Sequence, residues 1–159
     1  MRRTLFAVLT VTLLLMFVGT AYVWASMNGR GGRPVTGERH VTSSVEGPAI
    51  VFFERVPEGQ PKPTPVVLMA SFARSVADFN ELTAALASEG YRTLAIESRG
   101  IGGSAGGGPG QDVTLHDLAD DLGRVLADAA GVESDSKVYL VGHAFGNRVV
   151  RTFAADHPE

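Results

Sequence analysis

The sequence predicts an α/β fold: a mostly parallel sheet with helices on both faces. Short apolar runs such as Val66-Val67-Leu68-Met69-Ala70 show no polar alternation. That is the mark of strands covered on both sides. Each such run is followed by a segment whose apolar residues recur at helical spacing. Strands alternating with helices of this length imply right-handed crossovers and therefore parallel neighbours.

The elements follow in order. Residues 39–46 and 49–56 read as two short strands joined by the turn Glu46-Gly47-Pro48, a hairpin. The proline-rich stretch Pro57–Pro65 is a loop, and residues 66–70 are the first fully covered strand. Ser75 with Asp78 three residues on reads as a capping pair opening a helix. Phe79, Leu82 and Leu86 share one face of it, and Gly90 closes it. Tyr91–Glu97 is the next strand, and the glycine-rich stretch Ser98–Val113 the next loop. Thr114 and Asp117 form a second capping pair. Leu115, Leu118, Ala119, Leu122, Val125 and Leu126 then make a helical stripe ending at Gly131. Lys137–Val141 is a last strand, turning sharply through Gly142–Gly146 into a helix that carries Phe145, Val149, Val150 and Phe153 on one side. Ligands of such sheets bind beyond the carboxyl ends of the strands, here the loops 71–75, 98–113 and 142–146.

Composition narrows the function. The chain has 159 residues, 45% hydrophobic and 19% charged, which suits one packed domain rather than a disordered chain. Its 17 acidic residues outnumber the 14 basic ones, so no basic footprint for nucleic acid is present. The absence of cysteine removes disulfides, thiolate metal sites and a catalytic thiol. Four scattered histidines offer no pair at ligand spacing, so neither metal nor cofactor is expected.

The N-terminus is a different material. Arg2 and Arg3 precede Leu5–Ala25, a stretch without a charge and long enough to span a bilayer as a helix. Val23-Trp24-Ala25 before Ser26 resembles a signal-peptidase site. Residues 1–25 therefore suit a cleaved signal peptide or an uncleaved membrane anchor, and both place the remainder outside the cytoplasm. Residues 26–37 read as a flexible linker, and 38–159 as the domain.

The turn Gly142-His143-Ala144-Phe145-Gly146 has the G-x-S-x-G spacing of a nucleophile elbow, with Ala144 in the serine position. Glu97-Ser98-Arg99-Gly100-Ile101-Gly102-Gly103-Ser104 looks like D-x-R-G-x-G-x-S with Glu for Asp. Val66–Phe79 looks like a strand, an oxyanion loop and a first helix. In these three segments the chain resembles the α/β-hydrolase superfamily, over about Val35 to Glu159. The resemblance implies oxyanion donors at the backbone N–H groups of Phe72 and Phe145, and a pocket for a small-molecule substrate or ligand near Ser71 and His143.

The departures bear on chemistry. An elbow nucleophile needs a hydroxyl, thiol or carboxylate, and Ala144 has a methyl. Ala70-Ser71 stands where the family carries His-Gly. Ser75 reads as a helix cap, His40 and His116 as surface residues, and His157 as an exposed helix end. The G-x-G-x-x-A at Gly100–Ala105 is no dinucleotide turn, since the helix begins only near Thr114. The family continues past the elbow helix with further strands, a lid, an acidic residue and a catalytic His, so the expectation is a partial domain missing its C-terminal half. The expected function is an exported hydrolase-like enzyme acting on a small carbonyl or ester compound without an elbow serine. A non-catalytic small-molecule-binding relative, or an inactive fragment of a longer hydrolase, stands beside it.

Overall fold

In the computed structural model, the structure describes residues 12, 14–24, 32–43, 47–106, 110, 112–133 and 136–158. The strands are β1 (Glu38–Val41), β2 (Val51–Arg55), β3 (Val66–Met69), β4 (Thr93–Ile96) and β5 (Tyr139–Gly142). A 3₁₀ turn at Val76–Phe79 leads into helix α1 (Asn80–Ser88), with α2 (Leu115–Asp128) and α3 (Phe145–Asp156) following. The sheet order is β1-β2-β4-β3-β5. β3 pairs parallel with β4 and β5, while β1 and β2 are antiparallel additions at one side. The predicted α/β class holds, and β5 lies at a sheet edge with Tyr139 exposed.

Pleating decides which residue goes where. Val67, Met69, Leu94 and Ile96 join Phe52 on one face, packing against Leu118, Leu122 and Val125 of α2 and Val149, Val150 and Phe153 of α3. Val66, Leu68 and Ala95 point the other way, onto Val76, Phe79 and Leu86. Every residue of β3 and β4 is buried, which is why β3 reads as an unbroken apolar run and β4 adds only Thr93 to three apolar residues. Burying side chains such as Leu122 or Val149 contributes about 1.5–3 kcal/mol each.

Several expectations change. The hairpin pairs Glu38–Val41 with Val51–Glu54, shorter than predicted, and extends by bonds between Thr42 and Ile50. Residues 44–46, the end of the predicted first strand with the first turn residue, Glu46, lie outside the described residues. Ser75 and Asp78 are not a capping box. Ser75 caps only the 3₁₀ turn, its Oγ accepting from the Ala77 N–H at 3.2 Å, while Asp78 is engaged by Arg74 at 2.7 and 2.8 Å. The α-helix begins at Asn80, and Leu82, expected on its buried face, is exposed. Thr114 and Asp117 do form the expected capping box.

The last part of the predicted linker is docked. Buried Asn80 needs partners: its Oδ1 accepts from the N–H and Oγ of Thr36, and its Nδ2 donates to the Pro34 carbonyl at 2.9 Å. Val35 packs on the sheet beside it. Residues 26–31 lie outside the described residues. Residues 14–24 are helical and exposed, and no helix among the described residues is long and apolar enough to cross a membrane. Most of the rest of Leu5–Ala25 is not described.

Candidate active site

The register sets Met69 opposite both Ile96 and Gly142, so β3, β4 and β5 end together. Their following loops converge at the carboxyl edge, as the topology requires.

The elbow is built by close approach. The His143 N–H donates to the Met69 carbonyl at 3.0 Å, and the Gly146 N–H donates to the His143 carbonyl at 2.9 Å. A Cβ at Gly142 would stand 2.5 Å from the Asn147 nitrogen. A Cβ at Gly146 would meet the Met69 carbonyl oxygen and stand 2.6 Å from that of Ala70. Both glycines are thus steric requirements of the turn. Ala144 between them has φ 49° and ψ −108°, a sparsely populated conformation for a residue with a Cβ. Its methyl and the His143 side chain face solvent.

The loop after β3 approaches this turn. The Phe72 side chain is 74% exposed, and its ring meets that of Phe145 edge-to-face at 5.6 Å. Ala73 has φ 57°, so the two non-glycine residues with positive φ among those described flank this one contact. Such strain clusters at functional sites. Neither the Phe72 nor the Phe145 N–H donates to another backbone group among the described residues. For Phe145 this is the ordinary condition of a helix N-terminus. The structure therefore brings together Phe72, Ala144 and Phe145, with Ser71 half-buried beside Phe72. Ser71 and His143 make no side-chain hydrogen bond to each other, and neither lines the cavity next to this loop.

That cavity holds about 400 Å³ and is bordered by Arg33, Phe53, Arg74, Ser75, Asp78 and Glu97, among others. Glu97 is buried at its floor and accepts from Ser75 Oγ at 2.6 Å and the Val76 N–H at 3.2 Å. Burial pushes its carboxyl up; the Ser75 and Val76 bonds oppose that, and the Asp78 carboxylate adds to it. The hydrogen bond from the Arg74 guanidinium holds Asp78 below the ordinary carboxylate range, and the charges of His143 and Arg33 contribute.

The glycine-rich loop is fixed at two further points. Ser104 Oγ donates to the Glu97 carbonyl at 2.8 Å and accepts from the Val51 N–H at 2.9 Å. Arg99 makes a forked pair with buried Asp121 of α2, at 2.6 and 3.1 Å. The remaining histidines lie away from the elbow. His40 is half-buried rather than a free surface residue, stacked on Phe52 at 5.0 Å. His116 is exposed and paired with Asp156 at 2.8 Å, and His157 is exposed against Phe153.

Residues 60–159 match the family model described as Hydrolase_4, serine aminopeptidase S33. The chain belongs to this α/β-hydrolase family. It is 36% identical over 94 residues to epoxide hydrolase B of Mycobacterium tuberculosis, covering 59% of this chain and 25% of that enzyme. Among solved structures, epoxide hydrolase A from Mycobacterium thermoresistibile is similar at 28% identity and a TM-score of 0.65, over 77% of this chain and 36% of that one. A probable hydrolytic enzyme from Pseudomonas aeruginosa PAO1 shares the fold with a TM-score of 0.68 at 17% identity, over 80% of this chain and 40% of that one. The chain spans a quarter of the length of the curated relatives it matches.

The Arg99–Asp121 ion pair and the bonds from Ser75 and Val76 to Glu97 escaped sequence reasoning. Their signal was present: Glu97 and Arg99 are the charged positions of the segment compared with D-x-R-G-x-G-x-S.

Proposed function

We propose that this Hydrolase_4 chain is the elbow-bearing part of an exported hydrolase-like protein that binds a small carbonyl or ester compound. The substrate oxygen sits at the Phe72 and Phe145 amides. The observation behind this reading is the meeting of the two loops, with the Phe72 and Phe145 rings 5.6 Å apart and both N–H groups uncommitted to other backbone groups among the described residues. Backbone donors do not depend on side-chain identity, so an oxygen-binding hole survives the loss of a nucleophile. The relatives named epoxide hydrolase extend the ligand class to epoxides, whose oxygen also gains charge as the ring opens. The Ala144 methyl has no lone pair, so no covalent intermediate forms at the elbow.

A second reading, binding without turnover, is favoured by the same methyl. Labelling with a fluorophosphonate separates the two from a displaced-serine enzyme. The unsubstituted chain is expected to take no label, whereas a stoichiometric adduct on Ser71, Ser75 or Ser104 overturns the proposal. Ala144→Ser is the companion test. Gain of slow p-nitrophenyl ester hydrolysis supports an intact oxygen hole with a base in reach, and no gain favours pure binding. Export follows from Arg2, Arg3 and the apolar stretch after them. N-terminal sequencing of fractionated cells tests it, and a cytosolic product retaining Met1 without membrane association sinks it.

A further inference from the structure

Glu97 stands directly after β4, at the start of the glycine-rich loop, and only 1% of it is exposed. Its backbone is held on both sides. The N–H donates to the Val51 carbonyl at 3.0 Å, and the carbonyl accepts from Ser104 Oγ at 2.8 Å. The carboxylate reaches across to the other loop, one oxygen to Ser75 Oγ and the other to the Val76 N–H. It therefore bridges two loops without touching the elbow. The loop it reaches does little to hold itself. Residues 71–75 contain one internal backbone bond, Arg74 N–H to the Ser71 carbonyl at 3.0 Å, and a positive φ of 57° at Ala73.

Gly102 is the third partner. It has φ 59°, and a Cβ there would stand 2.5 Å from Oε1 of Glu97. The carboxylate occupies the space a side chain at 102 would need.

We infer that Glu97 is a positioning residue: acting through Ser75 and Val76, it sets where the Phe72 amide stands, and its length is matched to the missing side chain of Gly102. The role assigned to Phe72 rests on the oxygen-hole reading above; the clamp itself does not. Removing the Glu97 side chain leaves the Ser75 hydroxyl and the Val76 N–H without their acceptor, the costly case for a hydrogen bond in a buried place. Aspartate at 97 withdraws the carboxylate by one methylene, which weakens the clamp and vacates the space beside residue 102.

Hydrogen exchange on the full chain tests this. It is read at the Arg74 and Val76 amides, the two of residues 71–76 that donate hydrogen bonds among the described residues, with residues 118–126 of α2 as the reference for global folding. Glu97→Ala and Gly102→Ala are each expected to speed exchange at these two amides roughly tenfold, with the α2 amides unchanged. The pair Glu97→Asp with Gly102→Ala is expected to speed exchange by clearly less than the product of the two single effects, because the Cβ then has room; the cost of alanine at φ 59° is common to both Gly102→Ala variants and does not enter the comparison. Unchanged exchange at the two amides in Glu97→Ala overturns the clamp. Equal acceleration at α2 also overturns it, since Glu97 would then be a general pillar of the fold. Simple additivity in the double variant overturns the size match. Phenylphosphonate, an oxyanion probe, separates the clamp from the oxygen-hole reading. Protection of the Phe72 amide by the probe in the parent chain, lost in Glu97→Ala, supports both. Loosening of the loop without any protection by the probe leaves the clamp standing and removes the oxygen-hole reading.

Discussion

Gly146 packs directly on Met69: a Cβ at position 146 would fall on the Met69 carbonyl oxygen, which already accepts from the His143 N–H at 3.0 Å. Helix α3 is therefore seated on β3 through bare backbone. Gly146→Ala forces the helix outward and uncovers Val149 and Val150, both buried beneath it. The expected loss is about 1–3 kcal/mol or more, the scale of overpacking a dense interior. Gly123 is the contrast, since a Cβ there would meet Phe153 at an ordinary 3.5 Å inside α2. Gly123→Ala is expected to stabilise by roughly 0.5–1 kcal/mol. Thermal melts of the two variants should move in opposite directions, and a shared direction contradicts this account.

Ala144 offers the reverse experiment. Its φ of 49° and ψ of −108° cost a residue with a Cβ on the order of 1–3 kcal/mol. Glycine at this position removes that strain and returns about 0.5–1 kcal/mol through the freedom of its unfolded state. Ala144→Gly should therefore raise the denaturant midpoint, by about 1 kcal/mol in stability. The methyl is exposed, so little packing is lost with it. A lowered midpoint would show that the turn is held without strain.

The sheet was legible because burial writes itself into composition. All of Val66–Met69 and Thr93–Ile96 is buried; the first reads as an unbroken apolar run, and the second is apolar after Thr93. The elbow was legible because its glycines answer a steric demand at fixed spacing, met here by Asn147 and Met69. The neighbourhood of Ser75 was not. Serine and aspartate three residues apart look like a local cap, but Ser75 Oγ donates to a carboxylate 22 residues away and Asp78 pairs with Arg74. Residues 33–36 looked like linker because Arg, Pro and Thr carry no apolar period. What fixes them is Asn80, 44 residues beyond Thr36. Local pattern sees local partners, and the groups beside the candidate site find theirs across the fold.

Asp121 gives a stability prediction with a built-in control. It is 3% exposed and receives both Arg99 and Arg124. Removing the carboxylate leaves two part-buried guanidinium groups facing an apolar gap. Asp121→Ala is therefore expected to cost about 3–5 kcal/mol, the scale for breaking a buried pair from one side. Replacing charge and partner together, as Arg99→Met with Asp121→Leu, should recover part of that loss. Urea unfolding of the single and double variants checks this. A double variant no better than the single one would place the cost in shape or in the stranded Arg124 rather than in Arg99.

The sign of a pH effect can be fixed at Glu97. Burial is the largest influence on its carboxyl and raises it, so the folded chain holds this proton more tightly than the unfolded chain does. The stability linked to that proton is fully present below the ordinary carboxylate pKa, and is lost as pH rises through the raised folded value. The Asp78 charge that adds to this rise stays fixed through that window. Asp78 is held low by Arg74, and Arg74 is held high by Asp78, so both remain ionised. Glutamine at 97 keeps the shape and has no proton to lose. The stability of Glu97→Gln relative to the parent chain should therefore improve between about pH 4 and about pH 8, with the gain confined to the range above the ordinary carboxylate value. Urea midpoints at the two pH values measure it, and titrations common to both chains cancel in the difference. A relative stability that instead falls with rising pH would mean that the bonds from Ser75 and Val76 outweigh burial and hold the carboxyl below its ordinary value.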